Sequence, residues 1–522
     1  MRRALLALGL LAACVGGPPA PAPLNPVRLL LINDVYVADT MADGRGGLAR
    51  VATVRRRLTD QGPVLLVLAG DVLSPSLLSK WYGGRQMVEA PNAAGLDYAT
   101  FGNHEFELDR DTLIARIQAS DFTWISSNCT QADGTAFPKV APWDTVVVSG
   151  HKVGLFGLTL TGSYPSYVRC ADPDSAAHQA IEALTAQGAD LIVGLTHQTL
   201  QADRDLLARE SALDLVVGGH EHEAHDSVVS GRHVLKADAN ARTAQFVTLW
   251  GGKGQWRQAV GLIPIDWRLP FDTTVARVVQ AWDDSLRRRL GPEQVIGVTS
   301  APIDARDAVS RNGESALGDL ITDAIRAGTG ADVALLNAGA VRLDDVIRPG
   351  SISNYELESI FLFADETRIL TFPLSGARLR ELLEHGVSDR SLGKGGFLQV
   401  SGIAFAFDPA KPSGARIVGD IRRAGGGVLG PRDTVRVAFG VYPACKGGDG
   451  YSVPEATAPC AGRDAAPRAV DLLQRYIADS LRGRIEPPAA RRIVRVGNTN
   501  PDRKSTRLNS SHIQKSRMPS SA

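Results

Sequence analysis

Between residues 27 and 222, five short apolar runs each end, at their C-terminal side, in side chains that can carry chemistry. Residues 27–32 lead into Asn33-Asp34-Val35-Tyr36, 64–68 into Gly70-Asp71, and 98–101 into Gly102-Asn103-His104-Glu105. Residues 191–195 lead into Thr196-His197, and 213–217 into Gly218-Gly219-His220-Glu221-His222. Leu-rich and β-branched runs of this length, separated by helical segments, predict an α/β domain. Strand ends on one side of a sheet face a common crevice, so these groups can converge although they lie far apart in sequence.

The chain of 522 residues, 44% of them hydrophobic, is long enough for two or three domains with full cores. Its charge is nearly balanced, 57 Lys+Arg against 56 Asp+Glu, which lacks the basic footprint of a nucleic-acid binder, so no nucleic-acid partner is expected. Residues 502–522 have neither periodicity nor an apolar face and resemble the in-frame translation of a sequencing adapter. They are expected to be artefactual. Without their Arg503, Lys504, Arg507, Lys515 and Arg517 the protein is mildly acidic.

At the other end, Arg2 and Arg3 precede an apolar run too short to span a bilayer, as in a secretory signal. Leu11-Ala12-Ala13-Cys14 resembles the bacterial lipoprotein box. The expectation is a signal peptide over 1–13, lipidation of Cys14, and a Pro-rich tether over 14–26. The protein would then be a cell-envelope lipoprotein at the outer membrane facing the periplasm, touching the membrane through its lipid only. Cys129, Cys170, Cys445 and Cys460 remain, an even set suited to two disulfides in an oxidising compartment. Of the three possible pairings, proximity in sequence favours Cys129 with Cys170 and Cys445 with Cys460.

Asp34, Asp71, Asn103, His197, His220 and His222 offer oxygen and nitrogen ligands for borderline or hard divalent ions, too many for one ion. A carboxylate can bridge two ions held about 3.5–4 Å apart, an arrangement suited to hydrolysing a phosphate ester.

These segments, in this order, resemble the calcineurin-type metallophosphoesterases, Gly102-Asn103-His104-Glu105 and Gly219-His220-Glu221-His222 being the specific parts. The resemblance implies two divalent ions (Zn, Mn, Fe, Co or Mg). Asp34, Asp71 and His222 would hold one, and Asp71, Asn103, His197 and His220 the other. It makes His104 the residue acting in the transition state, polarised by Glu107. Tyr36 stands where the family places His, and would be a ligand only as phenolate.

Beyond a linker helix expected within 266–295, a second α/β pattern runs over 296–496. Its segments Arg311-Asn312-Gly313-Glu314, Asn337-Ala338-Gly339-Ala340-Val341-Arg342, Leu362-Phe363-Ala364-Asp365 and Lys446-Gly447-Gly448-Asp449-Gly450-Tyr451 resemble the C-terminal domain of the 5'-nucleotidases. The implied fold is a metallophosphoesterase β-sandwich flanked by helices over 27–265, followed by a nucleotidase-type α/β domain. By the same resemblance Arg311, Asn337 and Arg342 would hold the phosphate, Phe363 and Tyr442 the base, and Asp449 the ribose hydroxyls. The implied activity is conversion of nucleoside 5'-monophosphates to nucleoside and phosphate. Two alternatives stay open: a 2',3'-cyclic nucleotide or nucleotide-sugar hydrolase on the same fold, and a catalytically impaired nucleotide-binding lipoprotein.

Overall fold

The computed structural model describes residues 26–496, apart from 42, 163, 253, 344–345, 363–366 and 489–491. Cys14, Phe363, the expected signal and the 502–522 tail lie outside the described residues. The chain forms two compact units that divide between Arg289 and Leu290.

Apolar strands in the first unit, such as Leu65–Ala69 (LLVLA), are buried along their whole length, as a sheet covered on both faces requires. One sheet has seven strands in the order Gln255–Pro264, Thr243–Gly252, Val27–Ile32, Leu65–Ala69, Tyr98–Thr100, Thr123–Ile125 and Val140–Ala141. The other has six: His225–Val229, Arg232–Lys236, Leu215–Gly218, Leu191–His197, His151–Thr159 and Trp143–Val148. Leu29, Leu31 and Val67 of the first sheet pack on Leu155, Val193 and Val217 of the second. The alternate residues Leu30, Ile32, Leu66 and Leu68 face a different core, shared with the helices Leu48–Thr59 and Gln86–Ala94. This is the predicted sandwich with helical flanks. On the second sheet's outer face lies the helix Pro173–Ala186, started by Asp172, whose side chain accepts from Ser175 N, and by proline in its first turn.

Parallel pairing places the ends of Val27–Ile32, Leu65–Ala69 and Tyr98–Thr100 side by side, and likewise those of Leu191–His197 and Leu215–Gly218. The helix Thr273–Leu290 packs into the first unit. Val275 and Val279 join its core, Trp282 Nε1 donates to Glu89, and Tyr82 Oη donates to Ser285 O. Both expected disulfides form, Cys129 with Cys170 and Cys445 with Cys460. Cys129 and Cys170 sit directly opposite each other in a two-stranded antiparallel sheet. No helix among the described residues is long and apolar enough to cross a membrane.

The second unit is built on a four-stranded sheet in the order Ile369–Ser375, Thr434–Gly440, Val333–Asn337 and Leu398–Ser401. Val333 and Leu335 face one core with the helix Gly376–Gly386, while Ala334 and Leu336 face another with Ala316–Thr329. On Ala316–Thr329, Asp319 has no exposed side-chain surface and lies 3.5 Å from Arg492 Nη1. Burial, aided by the neighbouring Glu314 carboxylate and opposed by Arg492, pushes its carboxyl up from 3.8 to about 8.

Between those values the folded state keeps a proton that the unfolded chain has released, so local stability falls as pH rises through this window. The slope is at most about 1.4 kcal/mol per pH unit. Asp319→Asn, which stays neutral, is expected to flatten the trend. Hydrogen-exchange protection of the Ala316–Thr329 amides from pH 5 to 8 measures it, and an unchanged slope would exclude Asp319 as the source.

Candidate active site

The carboxylates and imidazoles expected at the strand ends of the first unit meet. Asp34 and Asp71 follow the strands Val27–Ile32 and Leu65–Ala69, and His197 closes Leu191–His197. All three are buried, and one ligand atom from each lies within 4.8 Å of the others. His197 Nε2 stands 3.1 Å from Asp71 Oδ2 and 3.8 Å from Asp34 Oδ1, and its Nδ1 is 2.8 Å from Ala69 O. His222 Nε2 is 3.5 Å from Asp34 Oδ1, and the ring of His220 meets that of His197 edge-on at 5.4 Å. Asn103, next to His104, has a buried Oδ1 with no hydrogen-bond partner.

The backbone is bent to make this possible. Asp34, Asp71, His220 and His222 all adopt positive φ (51°, 57°, 90° and 62°). Such conformations cost about 1–3 kcal/mol each and cluster at functional sites. Two glycines permit the approach: a Cβ on Gly102 would lie 2.0 Å from Asp71 Oδ1, and one on Gly219 would lie 2.4 Å from Ala69 O. Either substitution would push a strand-end loop off its carboxylate.

Electrostatics agree with a cation site. Burial alone would raise the Asp71 carboxyl, but the charges of His197 and His104 hold it well below the usual range. Burial would lower His197, yet Asp71 and Asp34 raise it to about 9. His220 is lowered by burial and by the charge of His197, which suits a neutral imidazole ligand. Two buried carboxylates facing imidazoles, with an unpartnered amide oxygen beside them, form a donor set that fits divalent metal.

Tyr36 occupies the same space. Its Oη donates to Asp71 Oδ2 (3.0 Å) and lies 3.0 Å from His222 Nε2 and 3.4 Å from Asp34 Oδ1. Burial, followed by Asp71 and Asp34, pushes the phenol well above its ordinary value. Its backbone is pinned by Asn240, whose Oδ1 accepts from Tyr36 N and Val37 N.

His104 sits on the short helix His104–Glu107, so Glu107 is one turn away, with Oε1 2.8 Å from His104 Nδ1. Ser74 Oγ holds the other Glu107 oxygen at 3.1 Å. The imidazole's Nε2 therefore points toward the carboxylates, 3.8 Å from Asp71 Oδ2. Tyr167 Oη secures this helix by donating to Leu108 O (2.6 Å).

Sequence reasoning passed over several supporting residues. Glu105 is buried and accepts from the amides of Asp71, Val72, Leu73 and Gly102, fixing the Asp71 turn. Asn33 Nδ2 donates to Asp34 Oδ2 (2.7 Å) and its Oδ1 accepts from Ala237 N. Buried Lys236 and Asp203, with the partly exposed Glu221, form a charged group behind the histidine loops. Its lysine closes the mixed strand Arg232–Lys236 (RHVLK), which gives the sequence no clear signal for that group.

In the second unit Asn337 Nδ2 donates to Asp449 Oδ2 (2.9 Å). Burial raises the Asp449 carboxyl, while Asn337, Arg342 and Arg311 lie close enough to oppose the rise. Arg311 pairs with Asp307. Tyr442 packs flat against the glycine loop: a Cβ on Gly448 would lie 2.3 Å from its ring. Five of the six residues expected to hold substrate thus surround or adjoin one loop, and the sixth, Phe363, lies outside the described residues.

Residues 27–224 match the calcineurin-like phosphoesterase family and residues 295–456 the 5'-nucleotidase C-terminal domain. The chain belongs to the 5'-nucleotidase family of calcineurin-like metallophosphoesterases. Among members of this 5'-nucleotidase family, it is 26% identical over 424 residues to a snake venom 5'-nucleotidase of Gloydius brevicauda, covering 73% of this chain and 71% of that one. It is 24% identical over 473 residues to the trifunctional nucleotide phosphoesterase protein YfkN of Bacillus subtilis, 80% of this chain but 32% of the much longer relative. The crystal structure of a 5'-nucleotidase precursor from Thermus thermophilus superposes with a TM-score of 0.74 at 25% identity, covering 91% of this chain and 100% of that one. A sulfate thiohydrolase SoxB of a Thermus species shares the fold, with a TM-score of 0.70 at 19% identity and coverage of 91% and 98%.

Proposed function

We propose that the chain is a metal-dependent 5'-nucleotidase that hydrolyses nucleoside 5'-monophosphates to nucleoside and phosphate. The observation that carries this reading is the placement of the His104–Glu107 pair beside the Asp34–Asp71–His197 cluster. Asp34, Asp71 and His222 would hold one divalent ion, which Tyr36 would join only if metal binding took its phenolic proton. Asp71, Asn103, His197 and His220 would hold the second, so that Asp71 is shared. Such ions supply Lewis acidity toward a phosphoryl group and make water nucleophilic near neutral pH.

The protein's own residues supply the rest. His104, aimed by Glu107, stabilises charge building on the phosphoryl oxygens or gives its proton to the leaving 5' oxygen. Arg311, Asn337 and Arg342 would bind phosphate oxygens, Asp449 the ribose hydroxyls, and Tyr442 with Phe363 the base. Lipidation at Cys14 would hold the protein at the outer membrane facing the periplasm.

The test is metal content and phosphate release measured together on the full chain, with adenosine monophosphate, a 2',3'-cyclic nucleotide and a nucleotide-sugar. Two ions per chain and fastest release from the monophosphate are expected, with activity abolished by a chelator and restored by Mn²⁺. Preference for either other substrate would move the substrate class while keeping the chemistry. Nucleotide binding without release, after metal loading, would leave a binding protein.

A further inference from the structure

Lys236 closes the strand Arg232–Lys236 and has no exposed side-chain surface. A buried ammonium is costly unless charge and hydrogen bonds enclose it. Here its Nζ donates to the carbonyl oxygens of Gln198 (2.6 Å) and Gly219 (2.7 Å), and pairs with Asp203 Oδ2 (2.9 Å) and with Glu221. Three of these four partners adjoin a metal-type ligand, and Asp203 stands on the helix Leu200–Arg209 that follows the His197 loop. Gln198 follows His197, Gly219 precedes His220, and Glu221 separates His220 from His222. The second oxygen of Glu221 accepts from Leu200 N, and Gln198 Nε2 is 3.4 Å from Asp203 Oδ1. One ammonium therefore ties together the two loops that leave the adjacent parallel strands Leu191–His197 and Leu215–Gly218.

The loops need such a tie. His220 and His222 are held at positive φ, a conformation that persists only where the surroundings over-determine it. A cationic donor shared between two main-chain carbonyls is stronger than neutral hydrogen bonds in the same places. The junction is also tightly built, since a Cβ on Gly218 would lie 2.9 Å from Asp203 Oδ2 and 3.1 Å from Lys236 Cε.

We propose that Lys236 is a positioning residue for the metal centre: with Asp203 and Glu221 it sets the spacing of the loops bearing His197, His220 and His222, and through that spacing the affinity for divalent ions. The inference rests on the metal-centre reading above. Lys236 acts on neither substrate nor water, and its effect passes through the imidazoles.

The experiment measures Mn²⁺ affinity of the full chain by equilibrium dialysis, with kcat and KM for adenosine monophosphate at saturating Mn²⁺. It compares wild type with Lys236→Met, which keeps the stem and removes the ammonium. Leu184→Ala, a cavity in the buried face of the helix Pro173–Ala186, controls for loss of stability alone. Residues that orient metal ligands typically contribute about 10–100-fold in affinity or activity. Lys236→Met is expected to lose that much Mn²⁺ affinity with KM unchanged, while Leu184→Ala keeps wild-type affinity.

Should Lys236→Met fail to fold, Glu221→Gln removes one arm of the tie and is expected to weaken Mn²⁺ binding by a smaller factor in the same direction. Wild-type Mn²⁺ affinity in either folded variant overturns the inference and leaves the metal centre standing. A wild-type chain that takes up no Mn²⁺ overturns both.

Discussion

Replacing His104 with alanine is expected to lower kcat for nucleoside monophosphate hydrolysis by about 10²–10⁴-fold, the usual range for a positioned acid or base. Metal content should stay at the wild-type level. The two halves of this expectation come from different contacts. The imidazole is held through Nδ1 by Glu107 at 2.8 Å, and its Nε2 stands 3.8 Å from Asp71, facing the cluster without belonging to the three groups that converge within 4.8 Å. The link from this position to Asp71 that survives the substitution is the main-chain amide, His104 N donating to Asp71 Oδ1 at 2.9 Å. Alanine keeps that amide, so the shared carboxylate stays aimed. Kinetics at saturating metal, with elemental analysis of the same sample, decide the matter. Turnover at the wild-type rate would remove His104 from the mechanism, and loss of metal along with turnover would make it a ligand.

Asp71→Asn should be damaging in a different way. Asp71 is the carboxylate on which the site converges: His197 Nε2 at 3.1 Å, Tyr36 Oη at 3.0 Å and the His104 amide at 2.9 Å all meet it. An amide of the same shape keeps one acceptor oxygen but removes the negative charge that the surrounding imidazoles and any bound cation require. Several kcal/mol of charge stabilisation are at stake, which at about 1.4 kcal/mol per tenfold is on the order of 10³-fold or more in kcat/KM. Metal content should fall with it, in contrast to His104→Ala. Full metal occupancy in Asp71→Asn would show that the ions are held elsewhere.

The metal-type residues were legible in the sequence because each stands at the end of an apolar run, and parallel strands align such ends without further information. That logic reached Asp34, Asp71, His197, His220 and His222, whereas the pairing of His104 with Glu107 came from the resemblance to the metallophosphoesterases, and the short helix His104–Glu107 accounts for it. It did not reach Glu105, although that residue was in plain view in the Gly102-Asn103-His104-Glu105 segment. Its task is to bind four main-chain amides, and amide orientation leaves no trace in residue types. Nor did it show where Tyr36 points. A phenol two residues after Asp34 could have turned to solvent, whereas in the fold Asn240 holds its amide and its hydroxyl meets Asp71 and His222.

The helix Thr273–Leu290 illustrates a different limit. Its amphipathic spacing announced a helix but not which unit it joins, because an apolar stripe specifies a need for burial and not the surface that meets it. Val275, Val279 and Trp282 find that surface in the first unit.

By itself, then, the sequence determined the α/β class, the apolar runs that carry the ligands and the chemical kind of ligand set, and its motifs carried the resemblance to the family. The first three are written in local patterns: apolar periodicity, turn residues, and side-chain types at strand ends. Tertiary structure alone decided which groups touch. The left-handed bends at Asp34, Asp71, His220 and His222, the clearance left by Gly102 and Gly219, and the buried Lys236 between two loops all arise from contacts between segments distant in sequence. Distances between such segments are set by how two sheets pack, and packing is a property of the whole core rather than of any stretch of residues within it.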